Sequence, residues 1–302
     1  MYKIIFVLLV AICLLVASER YVPEFTVKGY ADLLRDYKNI QKTPGGVPKI
    51  IIKTSWQKRT EFHHQLIEVL QRTIFMNPDY EVYYFDNDEV NAFMKSYSKE
   101  AFDAYNKISP GAFKADLFRY CVLEKYGGCY SDIGHVVHHP FNKICGRSKL
   151  VLVKDFYETT GLHNALICTG PGSTFMKNVV DACIQNITRE YYGYDPLCIT
   201  GPILFGKVYC AWLNKDTYVN YEDSVDKRLN EKLFKTYIKP GPRDTTMLSL
   251  RNLEGTNDVY DNFIVDANGT ILIRSKFKNY YNVMYKDKRY YGDHWKNGAV
   301  YA

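Results

Sequence analysis

The chain has 302 residues, 47% of them hydrophobic and 24% charged, with a formal net charge of +6. An apolar share this large, with nearly balanced charge, excludes a disordered chain. Eight cysteines are too sparse for a small disulfide-stapled scaffold, and no Gly-X-Y period marks a fibre. The length suits one large α/β domain or two smaller ones. Aromatics reach 15%, including 27 tyrosines, which fits planar or polyhydroxylated ligands, although half-buried structural positions account for most of them. The basicity is local. Arg274 to Lys296 holds seven bases against Asp287 and Asp293, a net +5 that leaves the rest of the chain nearly neutral.

In chain order, Ile4 to Ala17 is an unbroken apolar run of fourteen residues behind Lys3. As a helix it would span about 21 Å, short of the roughly 30 Å hydrocarbon core. Val16-Ala17-Ser18 closes it with small residues in a cleavage-like arrangement. Residues 1–18 therefore read as a signal peptide, with a short type II anchor, giving membrane association through residues 4–17, as the alternative. Either places residues 19–302 in the secretory pathway (ER or Golgi lumen) or outside the cell. The sequons Asn186-Ile187-Thr188 and Asn268-Gly269-Thr270 are compatible with that. Without Cys13 seven cysteines remain and none forms a CxxC pair, so zinc is not expected and at least one thiol should be free.

Residues 19–47 form a polar approach segment. Ile50-Ile51-Ile52 is the signature of a buried strand. Phe62, Leu66, Val69, Leu70 and Ile74 predict a helix over 61–75, stopped by Asn77-Pro78. A strand over 80–85, a helix over 112–126 broken by Gly127-Gly128, and a strand over 129–133 follow. This alternation predicts a parallel, doubly wound sheet. His63-His64 and the trio His135, His138 and His139 lack an acid or cysteine at a metal-binding spacing. The trio reads as a solvated strand end.

The chemistry concentrates between Ala115 and Gly134. Asp116 and Arg119 lie three apart and share one helix face. The glycine pair then turns the chain into a strand that carries Asp132 to its C-terminal end, the edge where open α/β sheets bind ligands. Carboxylates accept from sugar hydroxyls, and arginine grips oxyanions bidentately. Two acids and a base placed this way suit a sugar joined to a diphosphate. The alternative on spacing alone is a surface ion pair beside an unrelated strand-end aspartate.

The ordered set of motifs resembles the DXD-containing glycosyltransferases of family 32, the group of initiating α-1,6-mannosyltransferases and inositol-phosphoceramide mannosyltransferases. The helix ending in Tyr126-Gly127-Gly128 and the strand bearing Asp132 carry the likeness. So do Val47-Pro48-Lys49-Ile50-Ile51 with Thr54 and Trp56, Asn77-Pro78-Asp79-Tyr80 through Asp86, Asn164-Ala165, Thr200-Gly201-Pro202 and Asp293-His294-Trp295. The resemblance implies a GT-A type, Rossmann-like fold, with a mostly parallel sheet and flanking helices, that transfers a hexose, with retention, from a GDP- or UDP-sugar to a glycan or glycolipid hydroxyl. It implies donor contacts at Thr54, Trp56, Asp86, Asp116, Arg119 and Asp132, and reaction-centre roles for Asp132, Asn164 and Trp295.

The second aspartate of the family's Asp-X-Asp is replaced by Gly134. A Mn²⁺ or Mg²⁺ site would thereby lose a hard oxygen ligand, leaving Asp132 with Asp293 or His294 as substitutes. Otherwise the transfer is metal-independent, with Arg274, Lys276 or Arg289 of a C-terminal flap (about 274–302) facing the diphosphate. A luminal protein that binds sugar nucleotides or carbohydrate without turnover is the remaining alternative. Nucleic acid is not an expected partner, since a luminal protein does not meet it.

Overall fold

The chain between residues 27 and 49 is more ordered than a polar approach segment, because it contains helix α1 (Tyr30–Asp36), which buries Tyr30 and Leu33. The structure, a computed structural model, describes residues 27–155, 161–213, 244–252, 262–285 and 290–302. Strand β1 (Ile50–Thr54) sends Ile50 and Ile52 into one core and Ile51 into another, as the period of two requires. Helix α2 (His64–Met76) starts later than its apolar periodicity, because the His63 imidazole caps it by accepting from the Gln65 N–H. Strand β2 (Glu81–Phe85) leads into α3 (Asn87–Tyr97) through a capping box of Asp86 and Glu89. Helix α4 (Lys99–Lys107) follows.

Helix α5 (Gly111–Tyr126) buries ten of its sixteen residues around its whole circumference, so neighbours wall it on every side. It ends at Gly127 (φ +65°), and Gly128 (φ +93°) opens β3 (Gly128–Ser131). Then come β4 (Val136–Val137), α6 (Phe141–Cys145), β5 (Leu150–Lys154), β6 (Leu166–Thr169), α7 (Thr174–Thr188) and α8 (Pro202–Leu213). The described chain closes with β7 (Thr245–Asn252), β8 (Asn262–Val265), β9 (Ile271–Arg274), α9 (Tyr280–Tyr285) and α10 (Tyr291–Lys296).

The strands form one nine-stranded sheet in the order β2-β1-β3-β6-β5-β7-β8-β9-β4. The α/β class read from the sequence holds, and β1, β2 and β3 are parallel as their alternation predicts. Beyond β3 the sheet is mixed. Strand β6 runs antiparallel to both β3 and β5, β5 and β7 are parallel, and β7-β8-β9-β4 is antiparallel throughout. The short β8–β9 connection (266–270) allows only a hairpin.

The strand order also fixes the shape. Strands β3 and β4 stand six places apart, roughly 29 Å in a flat sheet at about 4.8 Å per strand. The five steps from Ser131 to Val136 reach at most about 18 Å. The sheet must therefore curl, bringing β9 and the segment after it back over the end of β3. Among the described residues no helix is long and apolar enough to cross a membrane. The address segment 1–18 lies outside them.

Two glycines at the α5–β3 turn are fixed by sterics. A Cβ on Gly127 would stand 2.6 Å from the Pro171 N and 2.8 Å from the Thr169 carbonyl oxygen, and one on Gly128 would stand 2.2 Å from Ile50 Cγ1. Backbone cannot step aside as a side-chain tip can. Gly127→Ala should therefore destabilise the chain by more than about 2 kcal/mol, measured by urea denaturation. A change under half that would show the turn to be relaxed.

Candidate functional site

Helix α5 holds Asp116 and Arg119 on one face, and the turn through Gly127-Gly128 aims β3 so that Asp132 meets them. The Arg119 guanidinium lies 3.2 Å from Asp132 Oδ1 and 3.3 Å from Asp116 Oδ1. Its Nη1 also donates to the Asn164 carbonyl at 2.9 Å, and its Cζ stands 4.4 Å over the Tyr130 ring. The surface ion pair allowed by spacing alone is excluded: Arg119 is 6% exposed and Asp116 8%.

Each group is held by further partners. Asp116 accepts from the Asn164 amide (2.9 Å) and from the Thr200 hydroxyl (3.0 Å). The Asn164 amide also donates to the Tyr120 hydroxyl (2.6 Å), which donates to the Thr200 carbonyl (2.9 Å). The Tyr130 hydroxyl donates to Asp132 Oδ1 at 3.0 Å. The Arg119 and Tyr130 bonds both fall on Oδ1, leaving Oδ2 for a ligand.

The charges follow from this packing. Burial opposes ionisation of Asp132, but the Arg119 charge and the Tyr130 hydrogen bond outweigh it and hold the carboxyl below its ordinary value. Asp116 is deeper. There burial dominates over Arg119, Thr200 and Asn164, and pushes the carboxyl up to about 6. Burial also works against charge on Arg119, yet Tyr130, Asp132 and Asp116 keep it firmly protonated. The result is a fixed cation between a carboxylate that ionises readily at the opening and one behind it that burial makes harder to ionise.

Beneath Asp132 lies a residue that the sequence reading missed. Lys53 is completely buried and donates to the Ser131 carbonyl (3.3 Å), the Ser131 hydroxyl (3.1 Å) and the Asp132 carbonyl (3.0 Å). Desolvation, opposed by Asp132, brings its amine down to about 7. Ser131 in turn bonds His135 Nδ1 at 3.1 Å. His135 is fully buried, with the His163 ring 6.5 Å from its own, which corrects the reading of it as part of a solvated strand end. His138 remains exposed. The one available signal for Lys53 was a lysine following three isoleucines in a strand buried on both faces.

The other expected site residues divide into two groups. Thr54 and Asp86 sit at the C-terminal ends of β1 and β2, on the same edge as Asp132. The Thr54 hydroxyl donates to the Phe85 carbonyl, and Asp86 caps α3. Trp56 is 39% exposed and donates its indole N–H to the Met284 carbonyl on α9, so the base-pocket candidates meet the C-terminal segment. Trp295, by contrast, donates to the Tyr192 carbonyl. No hydrogen bond or ion pair joins Trp295 or His294 to Asp132 among the described residues. Arg274 lies in β9 opposite Val136, and Lys276 stacks on Tyr281 and Tyr280. Arg289 lies outside the described residues.

The position of Gly134 is now physical. A Cβ there would stand 2.7 Å from Tyr280 Cε2. The Tyr280 ring is itself braced by Phe277, Tyr281 and Tyr285. The ring of α9 occupies the space that a second carboxylate would need. With Oδ1 of Asp132 engaged by Arg119 and Tyr130, the residues present fit a divalent metal poorly.

Residues 63–151 match the family model of the glycosyltransferase sugar-binding region containing DXD motif. That segment carries α5, β3 and therefore Asp116, Arg119 and Asp132. The chain is 24% identical over 171 residues to inositol phosphoceramide mannosyltransferase 3 of Schizosaccharomyces pombe, covering 55% of this chain and 46% of that protein. It is 24% identical over 178 residues to a mannosyl phosphorylinositol ceramide synthase of Saccharomyces cerevisiae, covering 58% and 46%. The matched part thus spans about half the length of these curated relatives. Among solved structures, the PaToxG glycosyltransferase aligns with a TM-score of 0.44 and 16% identity, over 68% of this chain and 92% of that one.

Two outcomes check this geometry. Lys53 ordinarily titrates at 10.5 and does so at about 7 in the fold. Between those values the unfolded chain holds a proton that the folded chain lacks, so stability should rise with pH across this window, by up to about 1.4 kcal/mol per unit. Lys53→Met should remove that slope in urea titrations at pH 7, 8 and 9; an unchanged slope would show that Lys53 stays charged. Separately, Gly134→Asp should cost about 1–3 kcal/mol through overpacking against Tyr280, and adding Tyr280→Ala should recover part of it. A thermal melt in which Gly134→Asp equals the parent chain would show the ring to be free.

The segment that carries Asp116, Arg119 and Asp132 is thus similar to a glycosyltransferase sugar-binding region containing DXD motif.

Proposed function

We propose that the chain transfers a hexose from a nucleotide diphosphate sugar to an acceptor hydroxyl. The carrying observation is the buried Asp116–Arg119–Asp132 cluster at the C-terminal end of β3, inside the segment that matches the family. A carboxylate held ionised at an opening, beside a fixed guanidinium, can accept from sugar or ribose hydroxyls while the cation orients them. Asp132 is the residue that touches the donor. Asp116, Asn164 and Tyr120 set the geometry of Arg119 from behind. The mannosyl-transferring relatives support a hexose donor and an inositol-bearing lipid or glycan acceptor; retention of configuration rests on the family resemblance.

The leaving diphosphate needs positive charge. With Tyr280 filling the place of a second carboxylate, the reading that fits best assigns this charge to the basic C-terminal segment, with Lys276 as its best-placed described member, rather than to a family-type metal pair. A secretory location rests on residues 1–18. The same Gly134–Tyr280 packing favours one competing reading, a protein that binds sugar nucleotides without turnover.

Purified chain incubated with UDP- and GDP-hexoses, with Mn²⁺ or with chelator, separates these. Nucleotide release that survives chelation is the expected result, and Asp132→Ala should reduce it at least a hundredfold in protein whose circular dichroism shows it still folded. Binding without release in both conditions would sink the transferase reading. Full dependence on Mn²⁺ would sink only the assignment of the charge to the tail.

A further inference from the structure

The geometry points to a second site, on the opposite face of the sheet: Cys129, Cys145, Cys168 and Tyr80 form a closed pocket for a divalent thiophilic cation of the Zn²⁺ class. Cys129 on β3 and Cys168 on β6 are direct cross-strand partners. Cys145, the last residue of α6, brings the third sulfur from a helix packed on that face. All three Sγ atoms lie within 4.8 Å of one another, and Cys129 and Cys145 are 3.3 Å apart. Tetrahedral ligands with metal–sulfur bonds of about 2.3 Å stand about 3.8 Å apart. The sulfurs bracket that spacing, so side-chain rotations alone can close it.

Buried cysteine is ordinarily a small hydrophobe, and the other buried cysteines of this chain fit that description. The trio differs because a polar group points into it. The Tyr80 side chain comes from the turn before β2 and packs on Phe141 of α6. Its buried hydroxyl faces the three thiols and has no other hydrogen-bond partner among the described residues. An oxygen placed there can occupy the fourth position of a tetrahedral site, where a fourth cysteine or a histidine stands in structural zinc sites.

Binding forms three metal–sulfur bonds and one metal–oxygen contact while the three thiols release their protons to solvent. The ion would tie β3, β6 and α6 together three residues upstream of Asp132. It would not enter the sugar site, because Tyr130, the next residue of β3, points to the other core. The sequence hid this set. The three cysteines are 16 and 23 residues apart, with no close pair, so zinc was not expected from spacing.

The test uses the reduced full chain with Cd²⁺ as a spectroscopic probe. The expected result is a thiolate-to-cadmium charge-transfer band that saturates at one ion per chain and is displaced by Zn²⁺, with Zn²⁺ alone raising the melting temperature. Cys145→Ser should weaken Cd²⁺ binding at least tenfold, while Cys210→Ser, outside the trio, should not change it. Should Cys145→Ser fail to fold, the isosteric Tyr80→Phe serves instead and should weaken Zn²⁺ binding severalfold. Two results would overturn the proposal: no saturable band at stoichiometric Cd²⁺, or a Cys129–Cys145 disulfide in protein isolated without reductant. Neither outcome bears on sugar transfer.

Discussion

A guanidinium withdrawn from water must be surrounded by charge and acceptors, and that demand on Arg119 organises the centre of this protein. It draws Asp116 from its own helix, Asp132 from the next strand, the Asn164 carbonyl from the approach to β6 and the face of Tyr130. Removing either member of such a buried pair typically costs about 3–5 kcal/mol, because the survivor is left uncompensated. The cluster is therefore rigid as well as charged. Its burial gradient then sets the chemistry: the deeper carboxyl, Asp116, is pushed up, and the shallower one, Asp132, stays ionised where a ligand can reach it.

The second layer of support is polar and lies under the strand. Lys53 clamps the Ser131 and Asp132 carbonyls from within β1, and Ser131 passes that restraint to His135. The turn bearing Asp132 is thus held from below by hydrogen bonds and from above by Tyr280. Curling of the sheet makes both contacts simultaneous, since it returns β9 and α9 to the end of β3. Within the basic tail, it is Tyr280 of α9 that stands against the turn bearing Asp132.

The parts of this arrangement that were legible in the sequence are those governed by short-range rules. The run Ile50-Ile51-Ile52 predicted a strand and is one. The pair Gly127-Gly128 predicted the break between α5 and β3, and both adopt positive φ. The i,i+3 spacing of Asp116 and Arg119 placed them on one face. The Thr200-Gly201-Pro202 stretch could be flagged by resemblance, and its threonine does reach Asp116. Trp295, flagged in the same way, instead bonds the Tyr192 carbonyl. A short motif records residue type and order, but where the surrounding segment docks depends on contacts more than a hundred residues away.

The sequence by itself determined the α/β class, the strand–turn–helix frame of residues 47–133 and the identity of the charged trio, because hydrophobic period, glycine turns and helical spacing act over a few residues. Only the tertiary structure decided that the sheet is mixed and curled, that His135 is buried, that Tyr280 stands where a carboxylate would need room beside Gly134, and that three separated cysteines share one pocket. Each of these depends on which strands become neighbours. That choice is made by the burial of whole faces against one another, and no local pattern encodes it.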